Sequence, residues 1–142
     1  MEATVLLANS AQGDSSGTVH ALGLGWTQTT TPLGQCAVVV FLELEPHEQL
    51  TSRDLHLELV DEDGTQVLFG TDPTTDQPAP LTIAGKIEAA AQAGHTPCTS
   101  TTNALAFNIA AGMALKDNTR YEWRLEIDQT LIARRSFAVA NS

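Results

Sequence analysis

The chain of 142 residues is long enough for one domain with a buried core, and a content of 42% apolar and 17% charged residues excludes a globally disordered protein. Seven basic residues against seventeen acidic ones leave a net charge of −10 at pH 7, which disfavours nucleic acid and anionic membranes as partners. The opening residues are not basic and their apolar run is short, so no signal peptide is expected, with export by another route as the alternative. No apolar stretch approaches the roughly 20 residues that span a bilayer. With two cysteines, a cytoplasmic location with reduced thiols is expected.

Apolar and polar residues alternate along most of the chain, which predicts β-strands with one buried face. The run at 37–44 is apolar on both faces at first, as is typical of a central strand. In chain order, strands are predicted at 3–10, 17–27, 37–44, 55–60, 65–70, 81–88, 105–109, 121–128 and 131–139.

Three further segments lack this alternation. Residues 86–94 are the one helix candidate, because alanine favours helices and Gly94 is a natural terminator; the alternative is that they continue the preceding strand. Residues 71–80, with three prolines, and 94–103, rich in Thr and Ser, are predicted to be loops. We therefore expect an all-β fold, a single antiparallel, immunoglobulin-like β-sandwich over residues 1–142 with about eight to nine strands.

The turn at 61–64 predicts a strand register. Asp-Gly supplies the positive φ angles that a two-residue hairpin loop needs. With Asp63 and Gly64 as the loop, Val60 faces Val67 and therefore Leu59 faces the residue after it, Leu68.

The last hairpin allows two registers. A two-residue loop at 128–129 places Trp123 beside Arg134, whereas a three-residue loop at 128–130 aligns Tyr121 with Phe137. The second register keeps more apolar side chains together, so we prefer it.

The segment from Leu115 to Tyr121 resembles the tyrosine corner of immunoglobulin-like and fibronectin-type modules. In those modules a tyrosine near the start of a late strand bonds back to the backbone upstream. Glycine is missing at the turn here, and we expect Asn118 to take its place.

A wider resemblance covers most of the chain. It is carried by VLLANSA at 5–11, GTVHALGLGW at 17–26, VVFLEL at 39–44, LHLELVDEDG at 55–64, LAFN at 105–108 and YEWRLEID at 121–128. In these motifs the chain is similar to a family of small uncharacterised bacterial β-sandwich proteins. The resemblance implies an architecture, and it implies no activity, cofactor or site residue.

Two groups of residues are candidates for metal binding. Asp61 and Asp63, with Asp72 in the next loop, offer oxygen ligands for calcium, which needs six or more; the alternative is an ordinary Asp-Gly turn, which we favour. His95 and Cys98 are a single pair of zinc ligands and would need at least one more. We predict no metal and no cofactor.

Catalytic motifs are missing from the sequence. The serines lie in polar or terminal contexts without a Gly-x-Ser-x-Gly elbow, and Cys36, at the start of the most apolar strand, reads as a packed core thiol. Outward glutamates occur on several of the predicted strands, so no pair of carboxylates can be singled out for hydrolysis. We therefore predict a protein that is not an enzyme.

Four of the five arginines, Arg120, Arg124, Arg134 and Arg135, belong to the last hairpin. Four arginines against three acidic residues give that segment a charge of about +1, so the rest of the chain carries about −11. The pattern predicts docking on an acidic protein surface, including another copy of the chain; the alternative is charge balance within the molecule. If Arg124 and Arg134 lie opposite each other, Glu122 and Glu126 are near enough to offset their repulsion.

The uncharged strand at 3–9 is a further candidate contact, because an exposed edge strand pairs readily with another chain. The leading functional hypothesis is a non-catalytic module for protein–protein interaction or assembly. The second is a small-ligand or calcium-dependent binding domain that uses the loops at 61–64 and 71–80. The third is a hydrolase whose site residues are dispersed along the chain.

Overall fold

A computed structural model describes residues 1–14, 17–87 and 99–140. Within them the chain is almost entirely β, which confirms the predicted all-β, sandwich-like fold. The strands are β1 (Glu2–Ala8), β2 (Ser10–Gly13), β3 (Val19–Leu22), β4 (Gln28–Thr29), β5 (Cys36–Leu44), β6 (Arg53–Asp61), β7 (Leu68–Thr71), β8 (Pro78–Pro80), β9 (Thr82–Ile87), β10 (Thr101–Ile109), β11 (Thr119–Ile127) and β12 (Thr130–Val139), with one 3₁₀ helix at Pro46–Leu50.

Two larger sheets enclose the hydrophobic core. One has three antiparallel strands in the order β1-β5-β10, and the other has five in the order β4-β12-β11-β6-β9, where only the short β4 pairs in parallel. Leu57, Trp123 and Leu125 face inward from the five-stranded sheet, and Val38 and Val40 face them from the other sheet. All five side chains are buried, because successive side chains of a strand point to opposite faces of the sheet and these five point toward the core.

The strands differ from the prediction in number and length. Twelve strands occur in the described residues instead of eight or nine, since the segments predicted at 3–10 and 17–27 are interrupted. Asn9 separates β1 from β2, and β3 ends where Gly23 adopts a positive φ of 66°. A side chain at position 23 would collide with Asn9, so this turn requires glycine.

The predicted loops also contain strand residues. Pro78–Pro80 forms β8 within the segment 71–80, and it pairs with β7 in a separate two-stranded sheet, where proline is tolerated because few ladder donors are needed. β10 begins at Thr101, inside the segment 94–103. Of the helix candidate, Lys86 and Ile87 are the end of strand β9. Residues 88–94 lie outside the described part of the chain.

The register predicted for the turn at 61–64 is wrong by one residue. Asp61, not Glu62, precedes the loop: its N–H donates to the Thr65 carbonyl, and its Oδ1 accepts from the N–H groups of Asp63 and Thr65. The loop therefore has three residues and ends at Gly64, where φ is 80°. Val60 bridges Gln66, not Val67, and the N–H of Val67 donates to the Leu59 carbonyl.

That shift of one residue decides which side chains are buried. Val67 packs against the core, whereas Leu68 does not face Leu59 and is 53% exposed. A change of register by one residue exchanges the two faces of a strand.

The last hairpin combines both registers considered for it. From Tyr121, which lies opposite Phe137, to Leu125 the preferred register is confirmed. Closer to the turn, a bulge shifts the pairing by one residue, so that Ile127 faces Thr130 and the loop has two residues. Both of these, Asp128 and Gln129, have positive φ angles, as a type I′ turn requires.

Tyr121 is buried and its hydroxyl accepts a hydrogen bond of 3.0 Å from the backbone N–H of Lys116. Asn118 has a φ of 57°, the conformation expected of the residue that replaces glycine in this turn. The bond back to the upstream backbone is thus present, while the immunoglobulin-like topology stays a prediction.

The outward face of the three-stranded sheet is apolar and is covered by the hairpin of β2 and β3. Ala37 and Val39 of β5 are fully buried there, in a second, smaller cluster with Ala11 of β2. Asn108 of β10 fastens the hairpin: its Nδ2 donates to the Ala11 carbonyl over 2.8 Å, and its Oδ1 accepts from the Ala11 N–H over 3.3 Å. The side-chain amide of Asn108 thereby makes the pair of hydrogen bonds that the backbone of a neighbouring strand would otherwise make with Ala11.

Candidate functional site

The outward face of the five-stranded sheet is charged. Because Tyr121 and Trp123 point into the core, the residues between and beside them on β11 point outward. We call three outward arginines and the glutamate among them the arginine face: Arg120, Glu122 and Arg124 of β11, and Arg134 of β12.

Glu122 is the central anion of the arginine face. The Nε of Arg124 lies 3.1 Å from its Oε2, and the Nε of Arg134 lies 3.8 Å from its Oε1. Arg124 and Arg134 are direct cross-strand partners, so this carboxylate offsets the repulsion of two like charges. The prediction for Glu122 is correct, whereas Glu126 instead lies 3.7 Å from the Nδ1 of His56.

The arginines differ in how much of their charge is already engaged. The side chain of Arg124 is 33% exposed and bonded to Glu122, whereas that of Arg134 is 61% exposed at the longer distance. Arg120 is exposed, and within residues 1–14, 17–87 and 99–140 its guanidinium has no hydrogen bond and no ion pair. Arg120 and Arg134 are therefore the two arginines with capacity for an external anion.

Arg135, the fourth arginine of the last hairpin, lies apart from the arginine face. It lies opposite Trp123 on the inward side, because odd-numbered residues of β12 face the core at this point. Its Nε donates a hydrogen bond of 2.7 Å to the Val5 carbonyl of β1. The side chain thus joins the two sheets and is half-buried.

The same bond changes the interpretation of the edge at β1. β1 is an edge strand of the three-stranded sheet, as the hypothesis of strand addition requires. However, its outward carbonyls at Val5 and Leu7 already accept hydrogen bonds, from Arg135 and from the N–H of Gly25. This part of the edge is therefore occupied, and strand addition there would have to displace both contacts.

An open groove of about 720 Å³ adjoins the arginine face. Arg120 and Arg124 line it together with Asp61 and Glu62 of the neighbouring turn. Small residues of β12, among them Ser136, contribute another part of the lining. The alternation of Arg134 with small outward residues at 136 and 138 is the sequence signal that could have indicated this groove.

The acidic loops use their carboxylates for local turns. Asp61 accepts two backbone hydrogen bonds within its own hairpin loop, and Asp72 Oδ1 accepts one of 2.8 Å from the Thr74 N–H. Asp63 contributes its own N–H to the first of these turns. Over the part of the chain that is described, no three His, Cys, Asp or Glu residues are grouped closely enough to hold a metal ion.

The remaining candidates concern the cysteines. His95 and Cys98 lie outside the described residues. Cys36 is a buried free thiol, and burial raises its pKa, so the nucleophilic thiolate is disfavoured. This environment suits the packed core thiol that the sequence predicts.

Comparison with known proteins identifies the family. Residues 3–140 match a family of unknown function (DUF6941), and the chain belongs to that family. The resemblance to a family of uncharacterised proteins is thereby confirmed, while a bacterial origin stays a prediction. No curated protein and no solved structure gives a significant match to the chain. Among the described residues, no helix is both long and apolar enough to cross a membrane.

Proposed function

For a chain whose family has no assigned function, we propose a non-catalytic protein–protein interaction module whose arginine face binds an acidic segment of a partner. One observation carries this proposal. An acidic protein of net charge −10 gathers three outward arginines on one face, and Arg120 among them has no partner within the described part of the chain.

Charge balance within the molecule accounts for only part of this arrangement. Arg124 is satisfied by Glu122, and Arg135 by the main chain of β1. The four residues of the arginine face carry a net charge of about +2, three arginines against one glutamate, and acidic residues border them: Glu58 lies opposite Arg124, and Asp61 and Glu62 line the adjoining groove.

The chemistry of the guanidinium group favours carboxylates as its ligands. Its planar array of N–H donors matches the two oxygens of a carboxylate, and such charge-assisted pairs are stronger than neutral hydrogen bonds. The negative charge of the rest of the molecule repels acidic partners everywhere else. It therefore orients them toward the arginine face during the encounter.

The proposal includes a cytoplasmic site of action. Its support is the free, buried thiol of Cys36, which is typical of proteins that fold under reducing conditions. Self-assembly would use the same contact: the arginine face of one copy would bind an acidic surface of a second copy.

The test uses a fluorescent peptide of alternating glutamate and serine, with binding followed by fluorescence anisotropy at several salt concentrations. We expect salt-dependent binding that falls about tenfold or more in the double variant Arg120→Glu with Arg134→Glu, since each exposed pair contributes up to about 1 kcal/mol. Added salt should weaken wild-type binding because the charges are exposed.

The matched control is the double variant Lys86→Glu with Lys116→Glu, which changes the net charge equally at two exposed positions that are not part of the arginine face. We expect this control variant to lose less than about threefold in its affinity for the peptide. Equal losses in the two double variants would reduce the effect to net charge and contradict the proposal, as would the absence of any binding to the wild type.

A further inference from the structure

The two arginines with free capacity are held at a defined separation. Arg134 lies opposite Arg124, which is four residues along β11 from Arg120. The bulge of this hairpin lies beyond Leu125, so the pairing between these positions is regular. At about 3.4 Å per residue along a strand and about 4.8 Å between strands, the two arginine positions are about 14 Å apart.

We infer that the arginine face selects an extended segment in which two acidic residues lie four positions apart and the residue midway between them is not acidic. This inference rests on the proposed function and names the class of partner. In an extended chain every second side chain points to the same side, and residues four positions apart are separated by about 13 to 14 Å. In a helix the same two positions would be only about 6 Å apart.

The surface between the two arginines fits the main chain of such a segment. Ser136 and Ala138 are small, outward residues of β12, and both line the groove beside Arg120. They leave space for a backbone that lies across the hairpin.

Glu122 determines what the middle position accepts. Its carboxylate lies between Arg120 and Arg134 and is already bonded to Arg124. Its side chain is only 18% exposed, so a second carboxylate brought against it would be repelled with little screening by water. A neutral polar or a basic residue at the middle position avoids this repulsion.

The experiment compares blocked peptides of serine and threonine that carry two aspartates two, four or six positions apart, all with the same composition. A fourth peptide has the spacing of four and a third aspartate at the middle position. Affinities for the wild type are measured by fluorescence anisotropy in low-salt buffer. We expect the spacing of four to bind about three- to fivefold more tightly than the other spacings, the range that one exposed ion pair supplies.

The third aspartate should not increase the affinity, although it adds a negative charge. In the variant Glu122→Gln the third aspartate should increase the affinity of the peptide, because the repulsion at the middle position is removed. The single variants Arg120→Gln and Arg134→Gln should each abolish the preference for the spacing of four, and their melting temperatures, measured in parallel, show that they are folded.

The outcomes separate this inference from the proposed function. Equal affinity for all three spacings, with a loss of binding in the arginine double variant, would overturn the spacing rule and leave the interaction module intact. If no acidic peptide binds the wild type, the proposed function itself fails. If the third aspartate strengthens binding to the wild type as much as to Glu122→Gln, the role of Glu122 is overturned.

Discussion

The two sheets present outward faces of opposite chemistry. On the three-stranded sheet, Ala37 and Val39 are apolar and lie completely buried beneath the hairpin of β2 and β3. On the five-stranded sheet the arginine face is open, with the side chain of Arg134 61% exposed. An apolar face needs a cover because its exposure to water is unfavourable, whereas a charged face is stable in water without one. Stability and binding are therefore expected to depend on different faces of the molecule.

The largest effect is expected from a charge placed under the hairpin. Val39→Asp buries a carboxylate without a partner and should lower the free energy of unfolding by at least about 3 kcal/mol. Urea denaturation of the variant and the wild type measures this difference in the free energy of unfolding. The control is Ala84→Asp, at an exposed outward position of β9, which should cost less than about 1 kcal/mol. Equal, small losses would mean that the hairpin does not cover this face in solution.

The attachment of the hairpin is tested by Asn108→Ala. The change removes both hydrogen bonds to the Ala11 backbone and should cost about 1 to 2 kcal/mol, with faster hydrogen exchange confined to β2 and β3. Asn103→Ala on the same strand is the matched control, because its amide makes one long contact of 3.5 Å to the Leu42 carbonyl. Unchanged exchange in the hairpin would contradict the role of Asn108.

Acid should destabilise the turn at the end of the open face. The Asp54 N–H, and then the Arg53 guanidinium, lower the pKa of Asp128 below its usual value. The unfolded chain therefore binds a proton first, and the stabilisation by Asp128 is complete above an unfolded pKa of about 3.9 and is lost as pH falls through the lower folded pKa. Asp128→Asn should flatten this part of a plot of melting temperature against pH.

The control for this measurement is Asp76→Asn, at the other aspartate with a positive φ. Asn tolerates that conformation equally, and the Asp76 carboxylate has no hydrogen bond within the described residues, so the acid dependence should stay as in the wild type. A similar flattening in both variants would contradict the assignment to Asp128.

The smallest effect on stability is expected at the arginine that we consider most important for binding. Arg120→Ala should change the free energy of unfolding by less than about 0.5 kcal/mol, since the side chain is exposed and unpaired within the described residues. Arg135→Ala should cost about 1 to 2 kcal/mol, because it removes the bond to Val5 that joins the sheets. Equal costs in urea denaturation would abolish the distinction between the two arginines.

The inner faces of the strands were predictable, and the site was predictable only in part. The alternation in β6 and β11 correctly identified the inward side chains, although Val60 of β6 is buried too, and in β10 Ile109 is buried while Leu105 and Phe107 are half-buried. The apolar run at β5 correctly indicated a central strand. The arginine cluster was visible in the sequence, but the grouping included Arg135. The groove beside Arg120 was not predicted, since it depends on the distant turn at Asp61 and Glu62.

The sequence by itself determined the all-β architecture, the inward side chains of β6 and β11 and the concentration of arginine in the last hairpin. These features are local, because side chains alternate in any extended chain whatever its neighbours are. The tertiary structure decided the register at Asp61, the bulge beyond Leu125 and the bond of Arg135 to the Val5 carbonyl. Such features depend on turn hydrogen bonds and on contacts between the sheets, which bring together residues as distant in sequence as Val5 and Arg135.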